Sequence, residues 1–104
     1  MAENQPMTEA MYYVLLALMR PDHGYGLMQR IREITEGRVV MGPGTLYGIV
    51  TRLKKDGLIT LEEQDERRKT YLITDKGREA LLGEYQRLKR LVADGAELED
   101  SHEN

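Results

Sequence analysis

The chain has 104 residues, a formal charge of −3 and no cysteine; that length suits one domain with a modest core, which pairing with a second copy would enlarge. Without cysteine there are no disulfides, thiolate nucleophiles or thiolate metal sites. The net charge excludes little, because all fifteen Lys and Arg precede Val92 while Asp94 to Asn104 holds five acids and no base; residues 1–93 set those fifteen bases against thirteen acids, a balance of +2, so an argument about nucleic acid rests on local patterning.

The polar start MAENQPMTEA lacks a basic segment followed by an apolar one, which predicts a cytoplasmic chain with no membrane partner. Ala10 to Met19 is apolar nearly throughout, yet it is about half of the roughly 20 residues that span a bilayer. It predicts a buried helix over Met7–Met19, with Thr8 as cap and Pro21 and Asp22-His23-Gly24 as its stop. A second helix is expected over Gly26–Thr35, where Leu27, Ile31 and Ile34 recur at helical spacing and Gln29, Arg30, Arg32 and Glu33 fill the other faces. Gly42-Pro43-Gly44 opens a third over Pro43–Asp56, proline being tolerated in a first turn whose N–H lacks a partner anyway. Leu58–Gln64 and Thr70–Thr74 read as two strands around a polar tip at 65–69. Thr74 or Asp75 caps a last helix, in which Leu81, Tyr85, Leu88 and Val92 form a narrow stripe suited to a helix–helix seam between two copies. Beyond Ala93 the chain is acidic and poor in large apolar groups, which predicts a disordered tail.

The order helix, helix, helix, hairpin, helix is that of a mainly α fold with a small β-hairpin. It implies a winged helix-turn-helix DNA-binding domain over 7–74, a dimerisation helix over 75–93 and an acidic tail over 94–104. At 100° per residue the third helix collects Leu46, Ile49, Val50 and Leu53 on one face. The opposite arc holds Gly44, Gly48, Thr51, Arg52 and Lys55, flanked by Thr45 and Tyr47, with no carboxylate before Asp56. Arg and Lys pair with phosphates or guanine edges, Thr with phosphates or thymine methyls, and Tyr offers a hydroxyl and a ring. An interior glycine costs a helix about 0.5–1 kcal/mol relative to alanine, so Gly48 calls for a reason, and close approach of a DNA backbone is one. Periodicity by itself leaves open an ordinary solvated face. Arg67, Arg68 and Lys69 at the hairpin tip are candidates for phosphates of an adjacent groove, or for a solvated turn beside Glu62, Glu63, Asp65 and Glu66.

Enzyme chemistry lacks parts here: Ser101 and His102 lie in the tail, and His23 is the one other histidine. Gly42-Pro43-Gly44-Thr45 lacks the lysine and spacing of a phosphate-binding loop, and Gly24-Tyr25-Gly26 lacks the third glycine of a dinucleotide fingerprint. No cofactor and no metal is expected. The alternative from another class is a winged helix used as a protein-interaction module without DNA; such a surface should offer apolar anchors on the outer face of the third helix, where Thr, Gly, Arg and Lys stand instead.

Three segments in order and spacing carry a resemblance to a known family: YYVLLALMRPDHGYGLMQRI, GPGTLYGIVTRLKKDGLI and RRKTYLITDKGREAL. Over about Met7 to Val92 the sequence resembles the PadR family of bacterial transcription regulators, and with a single helix after the hairpin it resembles the short-tailed branch. The resemblance implies a homodimeric winged helix on a palindromic operator, usually a repressor, with a C-terminal helix that crosses to the partner and a small-molecule effector that remains unidentified. It points to Tyr25 as a DNA-backbone contact, to Thr45 and Tyr47 on the recognition helix, and to Arg67, Arg68 and Lys69 on the wing. Two departures stand out. Many relatives carry proline after the Leu-Tyr pair, where this chain has Gly48. Some short-tailed relatives stack flat aromatic drugs between tryptophans, which does not carry over to a chain with no Trp and no Phe; Tyr85 is then more simply a seam residue than the lining of a drug site.

Overall fold

The computed structural model describes residues 5–65 and 67–103, with the side chains of Gln64, Arg68, His102 and Glu103 outside that description. Helix α1 spans Glu9–Ala17, and the Thr8 hydroxyl accepts the Met11 N–H at 3.1 Å to cap it. It stops two residues before the expected Met19, where the Arg30 guanidinium donates to the Ala17 and Arg20 carbonyls at its C-terminal end. Helix α2, Gly24–Ile34, begins two residues earlier than Gly26, because His23 Nδ1 accepts the Gly26 N–H at 3.1 Å and serves as the cap. It ends at Thr35, whose buried hydroxyl donates to the Ile31 carbonyl at 2.9 Å and receives the Val39 N–H at 3.1 Å.

Helix α3 runs Pro43–Lys55. Gly57, at φ +78°, turns the chain into the hairpin through a backbone conformation that L side chains rarely adopt. Strands β1, Ile59–Asp65, and β2, Arg68–Ile73, pair antiparallel with Ile59 opposite Ile73 and Leu61 opposite Tyr71. Pairing continues into the polar stretch, with a register shift between Glu63 and Asp65 and a last pair Asp65–Arg68. Arg68 and Lys69 are therefore strand residues, not tip residues. Ladder hydrogen bonds use the backbone alone and need no apolar side chains, so polarity did not mark the strand ends. The Asp65 carboxylate accepts the Arg67 N–H at 2.8 Å within the turn.

Helix α4, Asp75–Asp94, starts at Thr74, whose hydroxyl accepts the Gly77 N–H at 3.0 Å. A Cβ at residue 77 would stand 2.1 Å from the Leu58 carbonyl oxygen, so only glycine lets α4 begin this close to the start of the wing. After Gly95 the chain forms α5, Glu97–Glu103, where the sequence predicts a disordered tail. Glu97, Glu99 and Asp100 fall in its first turn, where negative side chains favour the positive end of the helix; composition counts those acids without their positions.

Val14, Leu15, Ala17 and Leu18 make α1 the centre of the core, closed by Leu27 and Ile31 of α2, Leu46, Val50 and Leu53 of α3, Ile59 and Tyr71 of the hairpin, and Leu81 of α4. The result is the expected mainly helical winged helix with a long C-terminal helix. Among the described residues no helix is long and apolar enough to cross a membrane.

One buried charge ties the N-terminal segment to α4. Glu84, 3% exposed, accepts from the Met7 N–H at 3.2 Å and from Arg87 Nε and Nη2 at 2.8 and 2.7 Å. The Arg87 hydrogen bonds hold its carboxyl below the ordinary value of 4.5, against the opposing effect of burial and with help from the Met7 N–H. A depressed carboxyl contributes stability above its unfolded value and loses it as pH falls through the lower folded value. Glu84→Gln should therefore cost about 2 kcal/mol near neutral pH. The gap should close as pH falls below 4.5, which melting curves of the two proteins across that range would show; a gap independent of pH would be the contrary result.

Candidate nucleic-acid interface

Leu46, Val50 and Leu53 are buried and Ile49 is packed half-buried beside them, which fixes how α3 is rolled against the body. Gly44, Gly48, Thr51 and Lys55 then face outward, bordered by Tyr47 and Lys54 on one side and by Thr45 and Arg52 on the other, and all eight are exposed. Tyr47 is 59% exposed. A Cβ added at Gly44 or Gly48 would meet nothing within 4 Å, so packing within the protein does not require glycine there. What the missing side chains supply is a shallow step in the outer face where a phosphate backbone can come close to the helix axis.

The electrostatics fit an anion. The last turn of α3 carries Arg52, Lys54 and Lys55 and the first turn no acid. Gly42 caps the helix without a side-chain bond, so the first-turn N–H groups remain for solvent or a phosphate. Lys54, absent from the sequence-based set, lies about 20° from Tyr47 on the helix wheel; the same projection already carried its bearing. Arg52 is turned partly aside: its Nε donates to Asp56 Oδ2 at 3.2 Å, and both line a cavity of about 560 Å³ with Met7, Met11, Lys76 and Glu84. At 69% side-chain exposure that ion pair is weak and yields readily to a phosphate.

Tyr25, 65% exposed, stands at the start of α2 next to Gly24, where an added Cβ would touch Leu46 of α3 at 3.6 Å. Gln29 Nε2 donates to the Tyr25 hydroxyl at 2.8 Å, leaving the phenolic proton to be donated outward. Burial first, and then the neighbouring Tyr47 phenol, push the Tyr71 hydroxyl up from its ordinary value. Arg67 and Lys69 are exposed on the hairpin, Lys69 opposite Glu63. The Arg68 and Glu66 side chains lie outside the described residues.

The stripe on α4 divides. Leu81 is 6% exposed and packs into the core, with its remaining surface lining the groove between α1 and α4; a periodic stripe on one helix does not say which end of it the body already covers. Tyr85 and Val92 remain exposed, Val92 to 75%, and Leu88 is half-buried. Met19, Leu82 and Leu91 join them as exposed apolar side chains. Tyr12, Leu16, Met19, Leu82 and Tyr85 line an apolar groove between α1 and α4.

Arg52→Ala combined with Lys55→Ala should weaken DNA binding at least about tenfold and lower the salt slope by about two phosphate contacts for each bound chain. The melting temperature should be unchanged, because both side chains are exposed. Unaltered affinity in fluorescence anisotropy would overturn this orientation of α3.

The sequence model of the transcriptional regulator PadR-like family matches residues 14–82. The chain is 34% identical over 65 residues to transcriptional regulator YqjI of Escherichia coli strain K12, covering 62% of this chain and 31% of that one. It spans less than a third of the length of the curated relatives it matches. A PadR-like transcription factor from Bacteroides fragilis superposes with a TM-score of 0.73 at 29% identity, over 86% of this chain and 88% of that structure. F93 from STIV, a winged-helix DNA-binding protein, has the same TM-score at 21% identity over 85% and 96% of the two chains, a likeness of fold.

Proposed function

The chain belongs to the PadR-like family of transcriptional regulators, and from that premise we propose that it is a cytoplasmic repressor that binds a palindromic operator as a homodimer. It is a regulator and not an enzyme. The observation that carries the DNA reading is the outer arc of α3: Thr45, Tyr47, Thr51, Arg52, Lys54 and Lys55 around two glycines whose missing side chains serve no internal contact. α3 enters the major groove, Tyr25 donates to a phosphate, and Arg67, Arg68 and Lys69 follow the backbone from the wing.

Support for the dimer comes from the side of α1 and α4 away from the core. Of the ten exposed large apolar side chains among the described residues, six, Met19, Leu82, Tyr85, Leu91, Val92 and Leu98, belong to α4, to α5 or to the turn just after α1. A surface this apolar is normally covered. The apolar groove between α1 and α4 accepts the second half of a partner's α4, and a two-fold axis makes the contact reciprocal. Two recognition helices in that arrangement address half-sites about one helical turn, ~34–36 Å, apart. Space lined by Tyr12 and Tyr85 between the copies is where a small apolar effector would act.

The test is a gel-shift series with promoter DNA of its own and neighbouring genes at two salt concentrations. Salt-sensitive binding that resists competitor DNA is the expected result. Its absence on every fragment would leave the fold as a protein-interaction module.

A further inference from the structure

Arg30 reads in the sequence as one of several polar residues on the outer faces of α2, and Gly26 as the first residue of that helix. In the structure they meet around Asp22. The Arg30 guanidinium donates from Nη1 to the Ala17 and Arg20 carbonyls and from Nη2 to Asp22 Oδ2 at 2.8 Å. Its side chain is about one-fifth exposed, and Asp22 less. The other Asp22 oxygen accepts the His23 N–H at 2.8 Å and lies 3.6 Å from His23 Nε2. A Cβ on residue 26 would fall 2.2 Å from that carboxylate, so the seat exists only opposite glycine.

Asp22 is also the point at which the helices grip the wing. Its N–H donates to the Tyr71 carbonyl at 3.2 Å and its carbonyl accepts the Tyr71 N–H at 2.8 Å, an isolated antiparallel bridge to β2. Tyr71 is buried, and from it β2 leads outward through Lys69 toward Arg67. Arg67 lies four residues beyond the bridge, about 13 Å along a strand. A pivot of roughly 10° at Asp22 would displace it by about 2 Å, enough to break a phosphate hydrogen bond.

We infer that Arg30 is a positioning residue: by clamping Asp22 to the end of α1 it sets the angle of the wing against the recognition unit, and so decides whether the wing cations reach DNA. The planar guanidinium suits this, since one fork spans two carbonyls and a carboxylate, which the ammonium of lysine does not reproduce. The DNA arm of the test rests on the reading of the preceding subsection; the amide arm does not.

The experiment compares wild type with Arg30→Gln, and with Arg30→Lys should the first fail to fold. Amide hydrogen exchange is followed in the free protein, and binding to a mixed-sequence duplex of about 30 base pairs is followed across salt concentrations. The expected result is exchange at the Tyr71 and Asp22 amides at least about tenfold faster with the α3 amides unchanged. The salt slope should fall to that of Arg67→Ala/Lys69→Ala, with no further loss when the substitutions are combined. Uniform acceleration along the chain, unchanged Tyr71 exchange, or an unchanged slope with additive losses would each overturn the inference. Should wild type fail to bind the duplex, the DNA reading falls and the amide exchange alone decides the role of Arg30.

Discussion

Gly48→Glu should lower operator affinity by at least about a hundredfold while leaving the protein as stable as wild type or slightly more so. The stability half follows from the open space around residue 48, where a new Cβ meets nothing within 4 Å, and from the gain of about 0.5–1 kcal/mol when a helical glycine is replaced. The binding half follows from the face. A carboxylate among Thr45, Thr51 and Lys55 removes the close approach and sets a negative charge against phosphates, a repulsion of roughly 1–4 kcal/mol per contact at about 4 Å. Each protomer of a dimer suffers it, and each 1.4 kcal/mol is about tenfold in affinity. Gly48→Ala separates the two effects, with the same gain in melting temperature and a smaller loss of binding. Full binding by the glutamate variant in anisotropy titrations would mean that this arc does not face DNA.

Val92→Asp and Leu88→Asp should each yield monomers at micromolar concentration and cut operator affinity by about 10²–10³-fold. Val92 is three-quarters exposed in the protomer, so its replacement removes almost nothing from the fold, and near-UV and far-UV circular dichroism should be unchanged. A carboxylate carried into an apolar seam without a partner instead costs several kcal/mol. DNA affinity falls with it because each half-site is then bound separately. Sedimentation velocity gives the mass directly. A dimer that survives both substitutions would move the interface away from α4.

Much of the fold is local and therefore legible. Thr8 and Thr74 cap their helices as their positions imply, because a hydroxyl one residue before a helical run accepts a first-turn N–H whatever the rest of the chain does. The inward face of α3 also follows from spacing, since four apolar residues at helical intervals have one way to be buried together. His23 as a cap was not legible, because a histidine before a helix has no strong preference of its own. The angle of Arg52 puts it on the outer arc, and its long side chain, folded back on Asp56, brings it to a cavity shared with Lys76 and Glu84 of α4.

By itself, then, the sequence determined the order of elements, the roll of α3 and the residues it can present, since periods of 3.6 and 2 and the caps are properties of short stretches. The tertiary structure alone decided what depends on distant neighbours. Leu81 belongs to the core and Leu82 to the surface because α1 covers one side of α4. Arg30 is turned inward because Asp22 and two carbonyls at the end of α1 converge on it. Glu84 is buried as a charge because Arg87 and the Met7 N–H, 77 residues away in sequence, meet it there. A charged side chain leaves water only where partners from several elements replace it, and no local pattern records that convergence.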